Sequence, residues 1–286
     1  MTLTAGGTVA PPEPLAAPVI DTHTHLNLHD RYLHGEAAPD PDELLELARQ
    51  AGVTKVVQIG CDVDYARHSV EMARTRPDVV VGVSIHPNDA ARIVERDGDA
   101  ALDAALAEIA VLAREDVVRA VGETGLDYYR TGEELHAAQQ RAFRWHIDLA
   151  RELDKTLVIH DRDSHDDVLA VLESQGAPDR VVFHCFSGDA AMAAHCAERG
   201  WFMSFAGPIT YKANDGLRAA LGVVPDELVL VETDAPYLTP VPHRGKPNAS
   251  YLMPHTVRFM ATERGTDEAA MCDLLFANAQ RAFGTW

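Results

Sequence analysis

The stretch VIDTHTHL, residues 19–26, begins as an apolar run and then places Asp21, His23 and His25 on alternate positions. Alternate side chains of a β-strand share a face. Three polar groups therefore point together into what the apolar neighbours mark as an interior. Burying such groups costs several kcal/mol each unless something satisfies them. The strand demands a partner for its imidazoles.

Seven more runs share its apolar character: KVVQIG (55–60), VVVGVSIHP (79–87), AVGETGLD (120–127), TLVIH (156–160), VVFHCFS (181–187), WFMSFAG (201–207) and LVLVETD (228–234). They are β-branched and nearly unbroken, as strands covered on both faces should be. Helical patterns fill the gaps. Asp40 and Pro41 precede DELLELARQAG, which supplies an N-cap, a proline at N1 and Gly52 as the stop. Residues 133–154 carry Ala138, Ala142, Trp145, Leu149 and Leu153 at spacings of three and four. Ser187-Gly188-Asp189 opens another helix that Gly200 ends, and two more follow Pro254 and Thr266. Eight strand–helix units predict a (β/α)8 TIM barrel. A doubly wound open sheet is the runner-up, but it would usually show a glycine-rich phosphate loop after an early strand, and none is present. The expected organisation is a flexible lead-in over residues 1–17 and a single barrel domain over 18–286.

Composition agrees. The 286 residues are 47% hydrophobic, enough for one large core. The longest apolar runs, such as VVVGVSI at 79–85, fall far short of the ~20 residues of a membrane span. The N-terminus has no basic start and no sustained apolar block, so it does not read as a signal peptide. Cys61, Cys185, Cys196 and Cys272 form no CxxC pair; they read as reduced, mostly buried thiols in a cytoplasmic protein. Lys and Arg number 25 against 44 Asp and Glu, for a formal charge of -19. That argues against a broad duplex-binding face and leaves room for a small local anion site.

The strand ends carry the chemistry. His23 and His25 end the first run, His86 the third and His160 the fifth; Glu123 lies in the fourth, His184 in the sixth, and Glu232 and Asp234 close the eighth. In a barrel these ends form the catalytic face. Neutral imidazoles and carboxylates are ligands for Zn²⁺, Mn²⁺ and similar ions, and clustered carboxylates without a cation repel one another. A cation is the partner that His23 and His25 demand. Six donors (His23, His25, His160, His184, Glu123 and Asp234) exceed what one catalytic ion uses, so two divalent ions (Mg, Mn or Zn) bridged by a carboxylate are expected, with Glu123 as the natural bridge. Asp21 is a candidate for orienting one of the histidines.

The sequence resembles the TatD family of metal-dependent hydrolases, within the amidohydrolase-like barrels. The matching stretches run through the whole fold: DTHTHL, GVSIHP, VGETGLDYY, QRAF, LVIHDRD, FHCFSG, ETDAPYLTP and HRGKPN. The resemblance implies that His23, His25, Glu123 and Asp234 hold one ion and that Glu123, His160 and His184 hold the other. It implies deoxyribonuclease activity, often at a 3′ end, although some branches deacylate D-aminoacyl-tRNA. Two departures stand out: His146, where the family commonly has Gln, and PNAS after HRGK, where many members have Asn-Glu-Pro.

The expected reaction is phosphodiester hydrolysis at 3′ ends of single-stranded DNA. The ions would acidify a water, and Asp234 would orient it and accept its proton. His86, Arg162, Arg244 and Lys246 are the expected substrate contacts, with Arg130 nearby and Tyr128, Tyr129 and Tyr237 as stacking candidates. Arg162 could instead pair with Asp161 or Asp163, and Ser187 reads as a helix cap beside Asp189. The alternative is ester or amide hydrolysis, such as D-aminoacyl-tRNA deacylation. A non-enzymatic metal or nucleic-acid binder is the third reading; a structural ion would favour a closed, cysteine-rich site. A monomer is favoured.

Overall fold

The strands form where β-branched residues run together, and helices form where polar residues return every three or four positions. The computed structural model describes residues 9–26 and 40–286. The strands are β1 (Val19–Thr24), β2 (Val53–Gly60), β3 (Val79–Val83), β4 (Val118–Asp127), β5 (Thr156–Arg162), β6 (Val181–Phe183), β7 (Phe202–Phe205) and β8 (Val229–Val231). They lie in chain order in one sheet, and every neighbouring pair is parallel. A parallel bridge between Thr24 and Ala235 joins the two ends. Two bonds reinforce it: Asp234 N–H to the His23 carbonyl and His25 N–H to the Ala235 carbonyl, both 2.9 Å. The fold is the expected (β/α)8 barrel.

Helices cover the outside, among them α1 (Pro41–Gln50), α2 (Val63–Ala73), α3 (Pro87–Asp97), α4 (Asp99–Leu112), α5 (His136–Glu152), α6 (His165–Gln175) and α7 (Ala190–Glu198). Asp40 caps α1 by accepting from Asp42 N–H, as read from the sequence. The third strand is shorter than its apolar run. It stops at Val83 because the chain turns there and His86 and Pro87 start α3. Ser187 does not cap α7: Asp189 does, accepting from Met192 N–H at 2.9 Å, while the Ser187 hydroxyl donates to the Asp161 carbonyl. Val, Ile, Leu and Phe of the strands, such as Ile20, Ile59, Leu157, Phe183 and Phe205, are buried in the core. Each such side chain contributes about 1.5–3 kcal/mol.

Two irregularities aim the site. Between β1 and β2, Asp21 pairs with Val56 and Thr24 with Gln58, so β1 carries one extra residue at Thr22-His23. Between β4 and β5, Val121 pairs with Leu157 and Thr124 with Ile159, which puts an extra residue at Gly122-Glu123. Bulges of this kind bend a strand and re-aim a side chain. Gly122 and Gly125 permit the second one. Both have positive φ, and a Cβ on either would come within 2.4 Å or 2.1 Å of a β5 carbonyl oxygen.

Of the lead-in expected over residues 1–17, positions 1–8 lie outside the described residues. Residues 9–17 are tied to the barrel rather than free. Leu15 N–H bonds the Ala51 carbonyl, Ala16 N–H bonds Glu268, Arg258 donates to the carbonyls of Glu13 and Pro14, and the Tyr251 hydroxyl donates to the Val9 carbonyl. All four cysteines are free. No helix among the described residues is long and apolar enough to cross a membrane.

Candidate metal centre

Glu123 stands at the middle of the barrel mouth, and its two carboxylate oxygens face different donors. Oε1 lies 2.6 Å from His160 Nδ1, 2.8 Å from His184 Nε2 and 3.5 Å from His86 Nε2. Oε2 lies 3.4 Å from His23 Nε2 and 3.7 Å from the Cys61 sulfur. Asp234 Oδ1 is 3.5 Å from His25 Nε2 and 3.8 Å from His23 Nε2. Four sets of donor atoms are each compact enough for one ion, all within 4.8 Å: His23 with His25 and Asp234, His23 with Glu123 and His184, His86 with Glu123 and His160, and His25 with Cys61 and Glu123. All six residues expected as ligands therefore converge at one end of the barrel.

Several observations fit a cation. His23 is 0% exposed, yet neither of its ring nitrogens has a hydrogen-bond partner. Leaving both bare in an interior is costly. Burial, then the nearby His184 charge, lowers the His23 pKa and keeps its lone pair available. Around Glu123, burial alone would favour the neutral acid, but His184 and His86 and the bonds from His160 and His184 hold it well below the usual carboxylate range. His184 shows the converse. Burial would discharge it, but Glu123 and Glu232 push it well above the ordinary imidazole value. The carboxylates thus draw positive charge onto His184, and a divalent ion meets the same demand.

A second layer of residues fixes the donors. His25 Nδ1 donates to the Ile59 carbonyl at 3.0 Å, which turns Nε2 toward Asp234. His184 Nδ1 sits 3.0 Å from Glu232 Oε1, and the same oxygen accepts Cys185 N–H at 2.8 Å. His160 Nε2 sits 3.3 Å from Asp127 Oδ2. Asp127 also accepts from Asn88 and from the N–H groups of Tyr129 and Arg130. Burial raises its pKa, and the His160, Asn88 and Arg130 bonds more than reverse that and hold it well down. Orienting partners of this kind are part of a working metal site. The sequence reading missed Asp127 and gave Glu232 no role. The signal was present, since both are carboxylates at the mouth ends of β4 and β8.

Asp21 does something other than orient an imidazole. Its carboxylate accepts from Thr233 N–H (2.9 Å), the Thr233 hydroxyl (2.6 Å), the Ser250 hydroxyl (2.7 Å) and, weakly, His23 N–H (3.3 Å). It buckles β1 to the chain that carries Asp234. Burial pushes its pKa up to about 7 against the pull of those bonds.

The expected substrate contacts divide. His86 joins the centre: Nε2 faces Glu123 and Nδ1 accepts Asn88 N–H to cap α3. Arg162, Arg244 and Lys246 do not: Arg162 is the last residue of β5, and Arg244 and Lys246 lie on the loop after β8. Arg162 stacks over the Tyr129 ring at 4.0 Å, and Arg244 over Tyr211 at 4.4 Å. Asp161 is bonded to His165 and Ser164 instead of Arg162. Lys246 is exposed. Tyr128 is rim packing: it stacks on His136 and its hydroxyl donates to Asp167. His146, on α5, ties the turn after β3 to β4. Its Nε2 accepts Ile85 N–H, and Nδ1 lies against the Ala142 carbonyl and the Thr124 hydroxyl.

Comparison with known proteins gives the family and the fold. Residues 20–284 match the family described as TatD related DNase. A metal-dependent hydrolase, TatD, of Mycobacterium tuberculosis is 43% identical over 276 residues, covering 93% of this chain and 98% of the relative. A protein of Salmonella typhimurium named 3′-5′ ssDNA/RNA exonuclease TatD is 30% identical over 253 residues, covering 86% and 94%. The crystal structure of YjjV, a TatD homologue of Escherichia coli, superposes with a TM-score of 0.82 at 25% identity, covering 94% of this chain and 98% of that one.

Proposed function

The chain belongs to the TatD related DNase family of metal-dependent hydrolases, and from that premise we propose that it hydrolyses phosphodiester bonds at the 3′ ends of single-stranded DNA with two divalent ions. The observation that carries this reading is Glu123, whose two oxygens face separate donor groups. In this reading His23, His25, Glu123 and Asp234 hold one ion, and Glu123, His160 and His184 hold the other. The Salmonella relative, named for 3′-5′ action on single-stranded DNA and RNA, supports the choice of substrate.

Bound divalent ions supply charge neutralisation and acidify water. The chain does the rest. Asp234 is the least buried of the carboxylates at the centre, with 14% of its side chain exposed, and it orients the attacking water and accepts its proton. Glu232 and Asp127 fix the rings of His184 and His160. His86, beside Glu123, contacts the scissile phosphate. Arg162, Arg244 and Lys246 supply local positive charge on a protein of net charge -19, and Arg suits bidentate phosphate contact. No side-chain nucleophile is required. The free cysteines fit a reducing compartment, and we place the enzyme in the cytoplasm.

The decisive experiment assays the metal-loaded protein on single-stranded DNA with a 3′ hydroxyl and, in parallel, on D-aminoacyl-tRNA. Release of single nucleotides from the 3′ end, lost in Asp234→Asn, is the expected result. Deacylation without nucleotide release would replace this reading with ester hydrolysis.

A further inference from the structure

The reading above uses the imidazoles and carboxylates of the mouth and leaves Cys61 without a task. Cys61 directly follows β2 at the same end of the barrel. Its sulfur is 3.7 Å from Glu123 Oε2, the oxygen that also faces His23 Nε2 at 3.4 Å. His23 is fully buried and has no hydrogen-bond partner for either ring nitrogen. A sulfur and an unpartnered imidazole thus flank a single carboxylate oxygen. The donor atoms of His25, Cys61 and Glu123 also lie within 4.8 Å of one another, the spread a single ion needs.

We propose that Cys61 gives the metal centre a sulfur donor, on the side of His23, His25 and Glu123, and so tunes it toward thiophilic ions such as Zn²⁺ and Cd²⁺. The inference rests on the ion-binding reading given above. Soft sulfur ligands select zinc-like ions, whereas carboxylate and water suit Mg²⁺ and Mn²⁺. When the sulfur–metal bond forms, the thiol proton passes to solvent; no oxidant or reductant takes part. The competing role is that of a simple S–H donor to Glu123.

The two roles separate by spectroscopy. The full-length protein is stripped of metal, loaded with Co²⁺ and compared with Cys61→Ser, Cys61→Ala and Cys185→Ser. A cobalt–sulfur bond gives a near-ultraviolet charge-transfer band that nitrogen and oxygen donors do not. The band is expected in the wild type and in Cys185→Ser, and is expected to vanish in both Cys61 variants. Cd²⁺ affinity should fall about tenfold or more in those variants, while Mg²⁺ affinity changes less than about threefold. Should a Cys61 variant fail to fold, the wild type and Cys185→Ser still decide, because Cys196 and Cys272 are buried on α7 and on the C-terminal helix (Glu268–Phe283). Visible cobalt bands without the near-ultraviolet band in the wild type, or its survival in both Cys61 variants, would overturn the sulfur donor and leave the ion site standing. Failure of the wild type to bind cobalt, zinc or manganese at all would overturn both readings.

Discussion

His184 Nδ1 lies 3.0 Å from Glu232 Oε1, and this carboxylate is fully buried behind the ring. The contact spans 48 residues and sets which nitrogen His184 presents to Glu123. Removing the carboxylate leaves both His184 Nδ1 and Cys185 N–H without an acceptor. Glu232→Ala is expected to lower metal affinity or activity by ~10–100-fold. Glu232→Gln keeps one acceptor oxygen and should lose less. Isothermal titration of metal into both variants checks this, and equal wild-type affinities would show that the ring needs no support.

Glu123 faces both donor groups, whereas His184 faces one. Glu123→Ala should therefore reduce occupancy at both positions, and His184→Ala should mainly empty one. Metal analysis of the purified variants decides the point. Loss of one equivalent in each would contradict the bridge.

The barrel was legible because strands buried on both faces must be apolar along their length, and each run of that kind became a strand. The clustering of His23, His25, His160 and His184 was legible because parallel strands bring their C-terminal ends to one side. What stayed hidden depends on pairing. A bulge is set by register against the neighbouring strand, so nothing in THT or GETG taken alone announced the extra residue at His23 or Glu123. Asp21 meets Ser250 across 229 residues, a contact that only barrel closure creates. For the same reason its expected partner, an imidazole, gave way to Thr233 and Ser250. The 9–17 segment read as loose because proline and alanine say nothing of acceptors such as Ala51 and Glu268, which lie elsewhere in the chain.

His146 gives the protein a pH-dependent stability. Burial pulls its pKa from 6.5 to about 4. It is held neutral between Ile85 N–H, the Ala142 carbonyl and the Thr124 hydroxyl. Between those two values the unfolded chain binds the proton and the folded one does not. Stability from this group is therefore fully present above pH 6.5, falls as pH drops toward 4, and then levels off. The loss is roughly 3 kcal/mol across that window. His146→Gln has no proton to bind, so the difference in unfolding free energy between it and the wild type should change with pH only in that range. Chemical denaturation from pH 4 to pH 7 measures it, and a pH-independent difference would remove the assignment.

Arg162 and Tyr129 form the substrate prediction. The guanidinium lies over a ring that is 64% exposed, at the rim beside β4 and β5. An exposed aromatic with a cation on its face offers a base a stacking surface and a phosphate a charge, and stacking contributes ~1–3 kcal/mol per base. Tyr129→Leu should raise KM for a single-stranded oligonucleotide by about 5–100-fold with little change in kcat. Arg162→Ala should also weaken binding, and it should flatten the salt dependence. At a net charge of -19 the protein has little long-range pull on a polyanion, so few phosphates are neutralised. With catalysis blocked by Asp234→Asn, the slope of log affinity against log salt should correspond to about two to four phosphates at roughly -0.7 each. Arg162→Ala should remove about one of those units. A slope that implies ~6–10 contacts, or a Tyr129→Leu variant with unchanged KM, would mean that the strand runs over some other face of the barrel and that this pair is ordinary rim packing.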